Sequence, residues 1–336
     1  MKMRRFAWLG CLVALSASAG TRDWLKKPDA WFGSAEAAKI AENILSWQSD
    51  LGGWPKNVDV TASRYSGDKD DLRPTFDNGA TTDELRFLAR IHGATREKKY
   101  AKAFERGFDH VIDAQYPTGG WPQFHPPGDK YHRHITFNDG AMVRLMEFLR
   151  ESYTDDRYRF LDGHRRRKAQ EAFDAGIDCI LKCQIKVGGK RTAWCAQHDE
   201  RTYEPRPARS YELASLSGAE SVGIVRLLMS LEKPKPEVVA AVEAAVAWFK
   251  SAQLRGIRIE KREGNKVVVE DANAPPFWAR FYEIGSNRPI FSDRDGVKKY
   301  DLAEIGHERR NGYSWYGNWP QRLLEKEYPA WKDRVN

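Results

Sequence analysis

Apolar residues recur with a helical period in seven segments of the chain. Four of them, over 36–48, 101–115, 168–184 and 238–252, are each closed by a glutamine: Gln48, Gln115, Gln184 and Gln253. These glutamines are spaced 67, 69 and 69 residues apart. The loop phrases after them repeat too: LGGWPKN at 51–57, TGGWPQF at 118–124, VGGKRTAW at 187–194, then the degenerate LRGIRI. The other three helical segments begin TFDNGATTDELRFLARI at Thr75, TFNDGAMVRLMEFL at Thr136 and SLSGAESVGIVRLLMSL at Ser215. Leu85, Leu88 and Ala89 in the first, and Val143, Met146 and Leu149 in the second, fall on one helical face. Asp, Asn or Ser before Gly-Ala is a helix-start pattern.

A period near 70 residues predicts an all-α fold of repeated helical hairpins, closed into an (α/α) toroid or left open as a solenoid. In an antiparallel pair, the end of one helix lies beside the start of the next. The GGWP loops and the DNG and NDG segments therefore gather on one face. Stretches 185–214 and 265–320 lack a helical period and are rich in Arg, Asp, Asn, Gly and Tyr. They are expected as long loops with a few short strands over that face, and loops of this length are usually functional. The stretch after Tyr316 looks disordered.

The first residues change the picture of where the chain works. Lys2, Arg4 and Arg5 precede a short apolar run, Phe6 to Leu15, and the small residues Ala17, Ser18 and Ala19, which together read as a cleaved export signal over 1–19. Trp8 disfavours a lipid anchor at Cys11. Residues 20–336 are then one secreted domain, and loss of Lys2, Arg4 and Arg5 lowers the formal charge from +8 to +5. That excess suits a polyanionic partner, and arginines scattered without a basic block argue against a nucleic-acid tail. Cys179, Cys183 and Cys195 are too few for a disulfide framework. They are read as buried thiols, or as one disulfide from Cys195 back to the helix that carries the other two.

Candidate chemistry gathers on the loop face. Asp77-Asn78 and Asn138-Asp139 hold equivalent places in two repeats and are read either as helix caps or as a cation site. Oxygen-only ligands without a His/Cys set favour calcium, in a sparse site completed by substrate carboxylates and water. His125, His132 and His134 could suggest zinc, but no acidic water activator accompanies them, and structural or substrate-contacting histidines fit better. Trp54 and Trp121 either plug the core between hairpins or stack on a sugar. Lys56, Arg209, Arg280 and Arg294 lie in or beside non-periodic, aromatic-rich segments, and arginine forks suit uronate carboxylates.

The motifs FDNGATTDELRFLA, GGWPQF, FNDGAM, QHD, PARSYELASLSGAES and FYEIGSNRPIFSDRDG, in this order from about residue 36 to 320, resemble the family-10 polysaccharide lyases, pectate lyases with an (α/α) toroid fold. The resemblance implies anti β-elimination on polygalacturonate, with calcium bridging enzyme and substrate. It implies Asp77 and Asp139 as calcium ligands with Asn78 beside them, Arg209 as Brønsted base, and Arg280 and Arg294 as binders of substrate carboxylates; Lys56 and Asn78 are taken as further substrate-binding residues. Arg201 and Arg206, close to Arg209, are also available as base. An arginine base implies an alkaline optimum. The rivals are a glycoside hydrolase using Asp77 and Asp139 as acid and base, and a secreted carbohydrate-binding protein without turnover. A monomer is expected.

Overall fold

The computed structural model describes residues 20–335; the predicted export signal, Cys11 included, lies outside them. Ten α-helices follow one another among the described residues: α1 Thr21–Trp24, α2 Ala35–Ser46, α3 Thr82–Thr95, α4 Lys98–Asp113, α5 Ala141–Thr154, α6 Gly163–Cys183, α7 Glu220–Met229, α8 Pro236–Ser251, α9 His307–Gly312 and α10 Tyr328–Val335. The fold is largely helical with a few short strands, and the seven periodic segments are α2 to α8. No described helix is long and apolar enough to cross a membrane.

Helix starts follow local chemistry. Ser34 accepts the amide of Ala37 at 3.1 Å to open α2. Asp162 does the same for Arg165 at 2.9 Å in α6. Pro236, which has no amide hydrogen to satisfy, opens α8. Helices α3, α5 and α7 pack side by side as one row, and α4, α6 and α8 as a second. The closest pairings join α3 to α4, α5 to α6 and α7 to α8. Each second helix of a sequence repeat thus packs most closely on the first helix of the next repeat.

The repeated residues are the stitching. Gln48 Nε2 donates to Gly52 O in its own loop and to Ala103 O in α4. Gln115 bridges Gly119 O and Ala172 O, and Gln184 bridges Thr192 O and Ala241 O, in the same way. The tryptophans are core plugs, not sugar platforms. Trp54 and Trp121 have no exposed surface, and their indole N–H groups donate to Ile44 O and Val111 O. Trp194 and Trp278 repeat the device on Ile180 O and Phe249 O. An indole burying about 200 Å² contributes roughly 5 kcal/mol, more than stacking on an exposed sugar could return. A side chain at Gly107 of α4 would meet Trp54 at 2.9 Å, and one at Gly176 of α6 would meet Trp121 at 3.2 Å, so both helices need glycine there.

At one end of the helices the loops pair in sequence. The amides of Thr75, Thr136 and Ser217 donate to the carbonyls of Trp54, Trp121 and Trp194 at 3.0, 3.0 and 2.8 Å. Their neighbours then bridge to the following loop: Thr75 pairs with Phe124, Ile135–Thr136 with Gln197–His198, and Leu216–Ser217 with Phe281–Tyr282. The expected loops over 185–214 and 265–320 are present with two-residue strands, and a longer hairpin pairs Ile257–Arg262 with Asn265–Glu270. Beneath them lies a second small core that includes Tyr211, Phe281, Phe291, Leu302 and Trp315.

One expectation is corrected, and one open alternative is decided for the buried free thiols. The stretch after Tyr316 is ordered: Leu323 and Trp331 are buried in the main core, and Arg226 of α7 pairs with Glu327. The three cysteines are free and buried. Cys179 and Cys183 face each other across one helical turn at 4.0 Å, and no disulfide runs from Cys195 to α6.

Candidate functional site

The belt of paired loops brings together residues far apart in sequence. Asp77 follows the Thr75–Phe124 bridge and is buried. Its Oδ2 accepts Lys56 Nζ and, at 2.9 Å, Gln123 Nε2, while Oδ1 is buried without a hydrogen-bond partner. Asp139 lies one residue further along its repeat, where Phe137 and Asn138 both donate their amides to Ala196 O at 2.9 Å. Asp139 adopts φ 50° and Asn78, its counterpart in the preceding repeat, φ 54°. This left-handed turn costs an ordinary side chain and is tolerated by Asn and Asp. Neither Asp77 nor Asp139 caps its helix through the side chain, so the cap reading fails for both.

Asp139 Oδ2 accepts Asn138 Nδ2 at 2.8 Å, and Oδ1 lies 3.4 Å from Arg280 Nη2. Arg280 also binds Glu220, at the start of α7, and its side chain is only 12% exposed. Burial raises the Asp139 carboxyl above its ordinary range, and Glu220 and Asp77 push the same way against Arg280 and Arg209. The matched repeats therefore deliver a crowded set of carboxylates with incomplete compensation.

Arg209 faces this cluster across Tyr313. The Tyr313 ring lies 5.1 Å from the Arg280 guanidinium and 5.8 Å from that of Arg209. Its hydroxyl donates to Glu212 Oε1 at 2.8 Å. Glu212 is buried and grips Arg209 through both carboxylate oxygens. The Glu212 hydrogen bonds hold Arg209 protonated even more firmly than an ordinary arginine. Arg206 is engaged instead with Asp199, and Arg201 is exposed. Tyr131 completes the enclosure, close enough to Arg209, Glu212 and Asp77 for all three to act on its hydroxyl.

Asp77, Asp139, Lys56, Arg209 and Arg280 are thus neighbours. Asn78 is exposed beside Asp77, and its carbonyl accepts Arg22 at 3.4 Å. Arg294 is at the rim, paired with Glu308. Glu308 also binds Arg309, whose guanidinium lies 4.6 Å from the Tyr211 ring. The histidines do not converge on zinc. His125 packs on His110, His132 on Phe124, and His134 on Glu200.

His134, Asp199 and Glu200 could bring ligand atoms within 4.8 Å of one another. Their carboxylates are already occupied, however: Glu200 by Arg133 and His134, Asp199 by Arg206 and the amides of Arg201 and Thr202. Asp77 and Asp139 are also hydrogen-bonded or ion-paired, but Asp77 differs in keeping its buried Oδ1 unpartnered, and a carboxylate oxygen is the donor a hard cation takes. Glu212, Glu220, Gln123, Tyr131 and Tyr313 were not singled out as site residues in the sequence. Glu220 had a signal, since SGAE follows the place of DNG and NDG in the third repeat. Tyr313 had none, because its position depends on a non-periodic segment folding back over three earlier loops.

The fold and the site together give a helical repeat with carboxylates and arginines clustered on its loop face. The family profile described as pectic acid lyase matches residues 48–324, and the chain belongs to that family of polysaccharide lyases. It is similar to the solved family 10 polysaccharide lyase from Cellvibrio cellulosa, at 36% identity and TM-score 0.80, over 92% of this chain and 95% of that one. A mutant of that enzyme, solved in complex with trigalacturonic acid, aligns with the same identity and TM-score over 92% of this chain and 96% of that one. No curated protein sequence matches the chain.

Proposed function

We propose that this protein is a secreted pectate lyase that cleaves α-1,4-polygalacturonate by calcium-assisted anti β-elimination, with Arg209 as the Brønsted base. The carrying observation is the meeting of an incompletely compensated carboxylate pair, Asp77 and Asp139, with two arginines held on one tyrosine ring. Asp77 and Asp139 would hold calcium; Asn78, beside them, would contact substrate, and Lys56, Arg280 and Arg294 would bind uronate carboxylates. Bound calcium supplies charge neutralisation at the substrate carboxylate, making the adjacent C5 proton more acidic. The reading includes a mature chain of one domain over residues 20–336, closure of the helical rows into an (α/α) toroid, and action as a monomer.

Arg209 takes the C5 proton. The C5–H electron pair becomes the C4–C5 double bond, the C4–O bond breaks with its pair on oxygen, and the departing alkoxide is protonated from solvent. The difficulty is the base itself. An arginine with an ordinary pKa is neutral at pH 7 only at a cost of about 7–9 kcal/mol. Glu212 adds to that cost by stabilising the cation. Each pH unit of alkalinity removes about 1.4 kcal/mol, so the rate should rise well above neutrality.

Polygalacturonate incubated with the protein and calcium should gain the ultraviolet absorbance of a conjugated 4,5-unsaturated uronide, and a chelator should stop it. New reducing ends without that absorbance would mean hydrolysis, and no product would mean binding alone. Arg209→Lys should lose most of the turnover while oligogalacturonate still binds; a rate maximum at pH 5–6 would remove arginine as the base.

A further inference from the structure

Beyond Lys56 the same face carries cations that the reaction does not use. Arg73 is exposed, two residues before Thr75, and its guanidinium carbon lies 4.8 Å from the Phe124 ring centre. Lys56 Nζ shares that ring at 5.4 Å. His132 stands edge-on to Phe124 at 5.3 Å, and Tyr131 packs against His132 at 4.4 Å. The Thr75–Phe124 bridge and the Gln123 N–H to His132 O bond at 2.8 Å fix these residues to the belt that carries Asp77. Lys130 is exposed beside them, and Lys56, Arg73 and Lys130 are all close enough to act on His132, where burial and their charges lower the imidazole pKa.

Of the three cations, Lys56 alone has a carboxylate partner among the described residues, and that partner is Asp77. Most other arginines on this face are paired: Arg209 with Glu212, Arg280 with Glu220, Arg294 with Glu308, Arg206 with Asp199. An unpaired Arg and Lys beside a third cation repel one another, and the Phe124 face compensates only weakly. A mobile anion is the missing partner. The Phe124 ring sits 4.8 Å from the Arg73 guanidinium carbon, and no carboxylate among the described residues takes its N–H groups, which suit a carboxylate fork. Tyr131 links this ground to the centre, because it also lies within reach of Asp77 and Arg209.

We infer that Arg73, seated on Phe124, and Lys130, which leads into the Tyr131–Arg133 turn beside it, form an outlying subsite that grips the carboxylate of a galacturonate unit away from the scissile bond. The inference rests on the pectate lyase reading for its ligand, and it makes the protein prefer long, de-esterified stretches. A uronate held here is recognised by its negative charge, so a methyl-esterified unit at this position would lose the contact.

The test is binding, which needs no turnover. In an Arg209→Lys background, the affinities for trigalacturonate and hexagalacturonate are measured by calorimetry with calcium present, with and without R73Q/K130Q. The double substitution should weaken the hexamer about tenfold, the scale of one charge-assisted contact, and the trimer markedly less. With Arg209 intact, R73Q/K130Q should raise KM for polygalacturonate far more than it alters kcat. Equal affinities with and without the substitutions, or an equal loss for trimer and hexamer, would overturn the subsite. Both substituted side chains are exposed, and a thermal melt identifies any variant that fails to fold; in that case R73Q and K130Q are measured singly against the same expectations. Absence of unsaturated product from the unsubstituted protein would instead overturn the lyase reading, whatever the binding result.

Discussion

Glu212→Gln perturbs the base without touching the carboxylate pair. Glu212 binds Arg209 through both oxygens and accepts the Tyr313 hydroxyl and the Arg209 amide. Two unit charges about 4 Å apart attract by about 4 kcal/mol at an effective dielectric near 20. Arg209 is 42% exposed, and solvent reduces such a pair to about 1 kcal/mol. Removing the charge should therefore lower the Arg209 pKa by about one unit. Glutamine can still accept one guanidinium N–H and the tyrosine O–H, so the fold should survive. Orientation suffers, and loss of one charge-assisted bond should reduce the maximal rate by tenfold or more. The two effects separate in a pH profile. Initial rates of unsaturated-product formation at saturating calcium should peak lower, while the rising alkaline limb moves about one unit toward neutral pH. The neutral fraction of Arg209 increases at every pH below its pKa, so the direction is fixed. A folded Glu212→Gln protein whose limb stays in place, or moves to higher pH, would refute Arg209 as the titrating base.

Asp139→Ala should shift the calcium concentration for half-maximal rate upward by tenfold or more, the loss expected from a direct carboxylate ligand; an unchanged midpoint would remove Asp139 from the cation site. Gln184→Leu should destabilise the fold by about 2–4 kcal/mol, because Thr192 O and Ala241 O both lose a donor. Gln253→Leu, whose amide contact is to exposed Arg255, should cost little. Burial raises the Glu84 carboxyl to about 7. Folded Glu84 thus holds its proton above the unfolded value, and its stabilising contribution is complete below about pH 4 and is lost as pH rises toward 7. Glu84→Gln should gain stability relative to the unsubstituted protein between pH 5 and 8, by about 3 kcal/mol at most, read as a widening Tm difference.

The helical rows were legible because their signal is local: an apolar stripe and a recurring glutamine can be counted without knowing what they touch. The glutamine's job was not legible, since its acceptors Ala103, Ala172 and Ala241 lie more than 50 residues away and offer only backbone oxygen. Asp77 and Asp139 were found by repetition, although the structure shows them offset by one residue within their repeats. The order after Tyr316 was missed because Leu323 and Trp331 follow no long periodic stripe. The motif places Arg294 with the site, and in the fold its exposed side chain pairs with Glu308. Tyr313 and Glu212 depend on contacts 101 residues apart, which no window of the sequence contains.

That long reach has a consequence for when the protein becomes active. The aromatic ring shared by Arg209 and Arg280 comes from residue 313, and Asp139 meets Arg280 across 141 residues. A chain emerging from one end delivers the earlier loops before Tyr313, and the buried Leu323 and Trp331 of the helical core come later still. Until Tyr313 arrives, Glu212 lacks its tyrosine and the two arginines lack a common support. The proposed site is therefore incomplete until the segment carrying Tyr313 has joined the earlier loops.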